Sequence, residues 1–354
     1  MRQVECIVVG QGIAGTMMSY HLWKNNIDHI LIDQSLQHIS SSRVASGVIN
    51  PLTGRKRVRT WMVDELFPFA KDAYQSIEKL LEINFFEEKD IISFPPNPEM
   101  VLNYENRIAS GESFLHNDNA EQWHPYFNIA FGTKRTSSSF WLHLETLLNG
   151  WRKFAQEHNF FKEETFNFEE INSTNESVTY KNITAKYLVL CTGIKAMQQP
   201  KFNSLPFSPN KGEALILKIP GLPSTHIFKG AFTLVPLKNE EWWLGSNYDN
   251  HFKDEDPTNE FKEKALHYLK NWVKLPFTFL HHQAAVRPAT VERRPFIGFH
   301  PNHPRWVIFN GMGTKACSLA PYFANQLTLA IVRGTSILPE VDVRRFQKIL
   351  MSNS

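Results

Sequence analysis

Cysteine is scarce in this chain. The 354 residues hold three, Cys6, Cys191 and Cys317. They are odd in number and far apart, with no CxxC or Cys/His spacing, so neither a disulfide framework nor a zinc site is encoded and reduced thiols are expected. Long apolar runs are missing too. No stretch approaches the roughly 18–20 uncharged apolar residues of a spanning helix. The opening MRQVECIVVG has too short an apolar run for a secretory signal, which predicts a cytoplasmic protein with no membrane partner. Charge of one sign is not in excess: 38 basic against 35 acidic residues leave a net charge of +3, too mild by itself to imply a polyanionic partner. The local exception is Arg55, Lys56, Arg57 and Arg59 in GRKRVRT, read first as a solvated face and second as a phosphate path. No GxSxG nucleophile elbow occurs, which argues against hydrolase chemistry. His281-His282 and His300-x-x-His303 do not form a metal pair. The second is interrupted by Pro301 and followed by Pro304, which precludes the helical spacing that aligns two imidazoles.

What is present is enough apolar material for a sizeable core. The 42% hydrophobic share includes 27 Phe and 9 Trp, on a chain about twice the usual single-domain length of roughly 100–200 residues. The spacing predicts a strand over Glu5–Val9, a glycine turn, a helix over Thr16–Lys24 and a strand over His29–Asp33. Helices are predicted over Asp64–Leu81 and Leu142–His158, and IISFPPNP, with three prolines, reads as a loop at a rim. A strongly apolar strand, Tyr187–Cys191, closes on Thr192-Gly193. From Gly212 to Arg287 the texture becomes alternating strands, GEALILKI, THIFKG, FTLVP and EWWLGSNY, with a helix over Thr258–Val273. The C-terminal part returns to a strand, Trp306–Asn310, a glycine turn and a helix over Ser318–Val332. The fold class is α/β (α+β overall). It is a Rossmann-like nucleotide-binding domain (1–85, 136–205 and 286–354) interrupted by an antiparallel-sheet substrate domain (86–135 and 206–285).

The run VVGQGIAG contains Gly10-x-Gly12-x-x-Gly15 between a strand and a helix. There the first glycine makes the tight turn, the second admits a pyrophosphate and the third lets helix and strand pack closely. Asp33 ends the second strand, where a carboxylate accepts hydrogen bonds from a ribose diol. Both nicotinamide and flavin dinucleotides use this ADP cradle. Strand-and-glycine elements recur at Cys191-Thr192-Gly193 and Gly311-x-Gly313, as if separate segments converge on one long ligand, which fits a flavin better.

These residues resemble the D-amino-acid oxidase superfamily of FAD-dependent amine oxidoreductases, glycine oxidase and its relatives in particular. VVGQGIAG with Asp33, SSRVASGVINP, YLVLCTG, VRPATVERRPFIG and FNGMGTKACSLAP carry the likeness in the family's order. The resemblance implies that Gly10, Gly12, Ile13, Ala14, Gly15, Asp33 and Gln34 hold ADP-ribose, with Thr192 and Gly193 beside them. It implies that Ser41, Arg43, Ala45, Ser46 and Gly47, together with Gly311, Met312, Gly313, Thr314 and Lys315, border the isoalloxazine. By the same resemblance Arg287 grips a substrate carboxylate with its planar, always charged fork. Tyr248 caps the substrate or packs at a strand end, and Lys315 stabilises flavin negative charge, assists oxygen reduction or lies exposed in a helix's first turn. Ala284, Ala285 and Val286 stand near where sarcosine oxidases carry a flavin-bonding cysteine, so the FAD is expected to be noncovalent. Thr233 stands where glycine oxidase has an aromatic residue, which speaks against glycine itself.

The implied activity is oxidation of the C–N bond of an amino acid or N-substituted amino acid, by hydride transfer to flavin N5 with hydrolysis of the imine. The alternative is tRNA. Gly245-Ser246-Asn247-Tyr248 is similar to the oxidase domain of the enzyme that finishes 5-methylaminomethyl-2-thiouridine. There a carboxymethylaminomethyl-type wobble uridine would use the same arginine, and GRKRVRT would meet phosphates.

Overall fold

Strand Arg2–Val9 buries Cys6, Ile7, Val8 and Val9, as a parallel strand covered on both faces must. It is the centre of the first of two eight-stranded sheets in the computed structural model, which describes residues 1–35 and 40–352. Parallel neighbours run in the order Phe161–Glu163, His29–Asp33, Arg2–Val9, Ile183–Leu190 and Trp306–Asn310. Phe296–Phe299 adds an antiparallel strand at one end, and Ile171–Ser173 with Val178–Tyr180 a short antiparallel ribbon. Helices Ile13–Lys24, Leu144–Glu157 and Ala316–Arg333 bring apolar faces onto the same core. Register decides where a ligand can lie. Val9 pairs with both Ile32 and Leu190, and Leu190 with Ile308. The turns at Gly10, Cys191 and Gly311 therefore open along one edge, at the carboxyl ends of the strands, where α/β sheets take their ligands.

The second sheet runs in the order Thr278–Arg287, Asn210–Lys218, Glu241–Gly245, Thr233–Pro236, Ile227–Lys229, Ile91–Ser93, Lys134–Thr136 and Leu115–Asn117. All its pairings are antiparallel except Ile227–Lys229 with Ile91–Ser93. Alternation sends Phe228, Leu234, Trp242 and Leu244 to the face covered by helix Asn259–Trp272. Ile91, Ala214, Ile216, Ile227, Val235 and Trp243 go to the opposite face, where Trp141 joins them. That inner face looks toward the first sheet's ligand edge: the Trp243 indole donates to the Val44 carbonyl at 2.9 Å and the Trp141 indole to the Ser46 carbonyl at 3.0 Å.

Two readings of the sequence are corrected. In IISFPPNP, residues Ile91–Ser93 form a buried strand inside the second sheet, and the third proline, Pro98, opens helix Pro98–Ala109, capped by the Asn97 side chain. Only Phe94 to Asn97 is loop, because the prolines begin two residues beyond the paired segment and the last of them sits in the first helical turn, where no N–H is needed. The strand in EWWLGSNY stops at Gly245, which frees Ser246 to Tyr248 to turn toward Arg287. Among the described residues no helix is long and apolar enough to cross a membrane.

Candidate active site

The glycine turn is shaped by close approach. Gly10 has φ +96, and a Cβ there would lie 2.5 Å from the Cys191 carbonyl oxygen; one on Gly15 would lie 1.7 Å from the Gly10 oxygen. Gly12 is the N-cap of helix Ile13–Lys24, with no side chain capping it, and the Ile13 N–H donates to Ser42 Oγ at 3.0 Å. A helix start with bare glycine backbone, its first N–H met only by a serine hydroxyl, is a ready anion site. It opens on a cavity of about 350 Å³ whose wall includes Gly10, Gly12, Ile13, Ala14, Asp33, Gln34, Ser41, Arg43, Thr192, Gly193, Met312 and Gly313. A side chain on Gly12 would stand 2.9 Å from Ser42 Oγ, closing the gap a pyrophosphate needs. These residues fit an adenine dinucleotide.

Other predicted positions do not line that cavity. Gly15 joins helix to strand. Gly47, at φ +74, lets the chain pass the Leu142 carbonyl, 2.0 Å from a would-be Cβ, and Gly311, at φ +79, does the same beside the Thr290 methyl at 2.7 Å. Ala45 and Ser46 lead from the short helix Ser41–Val44 into Gly47, with Ser46 offering its carbonyl to Trp141. Thr314 is exposed.

Arg152 is a cavity residue that motif reading missed. Its guanidinium donates to Gln11 Oε1 at 2.9 Å, the Gln34 carbonyl at 2.9 Å, Asp33 Oδ2 at 3.2 Å and Glu163 Oε2 at 3.2 Å. Burial raises the Asp33 carboxyl above its ordinary range, and the adjacent Arg152 works against that rise. The pair holds the acidic residue at the cavity wall. The available signal was a charge inside an apolar stripe: Leu144, Leu147, Leu148, Trp151 and Ala155 share the buried face of its helix.

Arg287 ends strand Thr278–Arg287 on the second sheet. Its Nη1 donates to Asn210 Oδ1 at 2.6 Å and the Asn247 carbonyl at 3.4 Å, and its Nη2 to Ser246 Oγ at 2.7 Å. All three acceptors are neutral, and burial lowers the guanidinium's affinity for its proton. The head lies over Gly212: a Cβ on that residue would meet Nη2 at 1.7 Å. Gly212 and Asn210 were silent in the sequence, because only strand pairing brings them to Arg287, and Ser246, noted there only within residues 245–248, reaches it because its strand ends at Gly245. Tyr248, 67% exposed, puts its ring 5.0 Å from the guanidinium. The Lys315 ammonium donates to the Asn50 carbonyl at 3.4 Å, and burial lowers it to about 8.

The basic run divides. Arg59 is committed to Glu112 at 3.2 Å and Asp64 at 3.4 Å, and Arg57 is buried with its guanidinium 4.6 Å from the Tyr104 ring. Arg55 and Lys56 are exposed.

A family model described as DAO, FAD dependent oxidoreductase, matches residues 5–329. Among solved structures, the chain is similar to glycine oxidase from Bacillus cereus at 16% identity and a TM-score of 0.79, over 94% of this chain and 96% of that one. It is similar to L-proline dehydrogenase from P. horikoshii at 17% identity and a TM-score of 0.77, over 98% of each. It is also similar to iminodiacetate oxidase from Chelativorans sp. at 16% identity and a TM-score of 0.76, over 95% and 97%. With the family matched across nearly its whole length and a cavity shaped for the dinucleotide, the chain belongs to the DAO family of FAD-dependent oxidoreductases.

Proposed function

We propose that this enzyme oxidises the C–N bond of a small amino acid or N-substituted amino acid whose carboxylate is taken by Arg287, with noncovalent FAD as cofactor. The observation that carries the reading is the state of Arg287: a guanidinium held on three neutral acceptors, with no carboxylate partner among the described residues. A fork so held keeps its charge for an incoming anion and binds it in a fixed orientation. The names of the three similar structures, glycine oxidase, iminodiacetate oxidase and L-proline dehydrogenase, point to the same kind of substrate.

FAD, when bound, supplies the two-electron acceptor. Gly10, Gly12, Ile13, Ala14 and Asp33 would hold its ADP half, and Ser41, Arg43, Met312 and Gly313, which line the same cavity, would lie along the rest of it. Arg287 fixes the substrate carboxylate and so aims the amine-bearing carbon, and the Tyr248 ring shields the ion pair on its solvent side. Positioning in a dry site accounts for most of the rate in such a reaction. The Lys315 ammonium, which burial lowers to about 8, would add positive charge on the Met312–Gly313 side of the cofactor. Cys191 reaches the cavity wall, but burial raises its thiol, leaving it a poor nucleophile toward the cofactor.

The test is anaerobic mixing of FAD-loaded protein with a panel of amino acids and N-substituted amino acids, following loss of flavin absorbance. At least one should bleach the wild type. Arg287→Ala should keep FAD but weaken that substrate by about 2–5 kcal/mol, with Arg287→Lys recovering part. Equal behaviour of all three proteins would refute the assignment.

A further inference from the structure

Away from Arg287 the inner face of the second sheet carries a concentration of positive charge that the carboxylate clamp does not use. Lys229 lies two residues from Ile227, so its side chain leaves the sheet on the same inner face. Its register partners are Thr233 and Ser93. The Arg57 guanidinium packs against the Tyr104 ring, and Ser93 Oγ and the Tyr104 hydroxyl are themselves buried without a hydrogen-bond partner. Arg57 is 8% exposed, and its Nε is buried without a hydrogen-bond partner. It also holds φ +48, a conformation that costs a side chain such as arginine energy. Lys315 stands opposite: the Asn50 carbonyl that it contacts lies at the foot of hairpin Leu52–Thr53/Val58–Arg59, in whose turn Arg57 sits. Lys229 feels the charges of both Arg57 and Lys315, and this repulsion adds to burial in lowering its ammonium to about 8. Among the described residues no carboxylate compensates Arg57, Lys229 or Lys315. Buried cations that repel one another are costly unless an anion completes them.

We propose that Lys229 and Arg57, with Lys315 beside them, form a second anion subsite, so that the substrate bears two acidic groups. One is the carboxylate next to the oxidised C–N bond, and the other a carboxylate or phosphoryl group at the far end of the same molecule. Lys229 is reached from Ala214 through Gly245 and Thr233. Those three inter-strand steps of about 4.8 Å place its strand about 14 Å from the one beneath the Arg287 head, before either long side chain reaches inward. The substrate is therefore an elongated amino acid rather than a two-carbon one.

This inference rests on the proposed role of Arg287, and the arms of its test separate the two. The probes are thioethers that cannot undergo C–N oxidation, each with a carboxymethyl group at one end, a polymethylene spacer of varied length, and a carboxylate, phosphonate or carboxamide at the other. Their dissociation constants for FAD-loaded protein are read from flavin absorbance changes and equilibrium dialysis. At a preferred spacer, the acidic ends should bind about 10- to 100-fold tighter than the carboxamide. A phosphonate ahead of the carboxylate would identify the second group as phosphoryl, and the reverse order as carboxylate. Lys229→Met and Arg57→Gln should each remove the advantage, Lys229→Arg should retain it, and Arg287→Ala should weaken every probe. Equal affinity of acidic and amide ends at all spacers, with Arg287→Ala still weakening them, would overturn the subsite and leave the clamp standing; that comparison needs only the wild-type protein. Binding indifferent to Arg287→Ala would overturn the clamp and the subsite with it.

Discussion

Gly212→Ala puts a methyl group where the Arg287 head now lies. The new Cβ would sit 1.7 Å from Nη2, 2.1 Å from Cζ and 2.5 Å from Nη1, so the whole guanidinium must leave. Gly212 lies in the regular strand Asn210–Lys218, outside the left-handed region, so alanine fits its backbone and the displaced group is the end of a flexible side chain. Fold and cofactor binding should survive, with a melting temperature lowered by no more than about 2–4 °C. The displaced arginine loses Asn210 Oδ1 at 2.6 Å and Ser246 Oγ at 2.7 Å, and with them the orientation that meets a carboxylate. A hydrogen bond to a charged group contributes about 1.5–3 kcal/mol, so a carboxylate ligand should bind about 10- to 150-fold more weakly. The assay is titration of an inert carboxylate into FAD-loaded wild type, Gly212→Ala, Arg287→Ala and the double variant. Because glycine acts only through arginine, the double variant should be no worse than Arg287→Ala. Wild-type affinity in Gly212→Ala, or additive losses in the double variant, would refute the placement of Arg287.

Acid precipitation should release FAD into the supernatant, and Gly12→Val should abolish its binding by filling the gap beside Ser42; colour left in the protein pellet would contradict noncovalent attachment. His29, 2% exposed, sits between Ser19 Oγ at 2.8 Å and the Ile27 carbonyl at 3.0 Å, and burial lowers its imidazole to about 4. Below an unfolded value of about 6.5 the unfolded chain takes up the proton first, so stability falls as pH drops from about 6.5 to 4, by about 3 kcal/mol from this residue. Denaturant titrations of His29→Gln should show a shallower fall over that range, and an unchanged slope would count against a neutral buried imidazole. Filter binding of bulk tRNA should lack the steep salt dependence of about one unit per phosphate neutralised. A slope of about four that vanishes when Arg55, Lys56, Arg57 and Arg59 are all changed to Ala would favour the nucleic-acid reading instead.

The dinucleotide site was legible because its requirements are local. Gly10, Gly12 and Gly15 satisfy backbone approaches within one turn, and the apolar runs Glu5–Val9, His29–Asp33 and Tyr187–Cys191 announced strands that the fold extends to Arg2–Val9 and Ile183–Leu190. Helix periodicity likewise located Val63–Leu81 and Asn259–Trp272 to within a residue or two. Arg287 stood out by resemblance, since a charge at the end of a strand has no local signature. What surrounds it was decided by register: Asn210 and Gly212 reach it across one strand pairing, and Ser246 through the early end of another strand. Charge was the least readable quantity. Arg55 to Arg59 form one basic run in sequence. In the fold Arg59 is spent on Glu112 and Asp64, while Arg57 turns inward toward Lys229 and Lys315, which lie far away along the chain. A side chain's charge is set by its residue type, but whether it faces water, a carboxylate or another cation depends on strand pairing between distant segments, and that only the tertiary structure supplies.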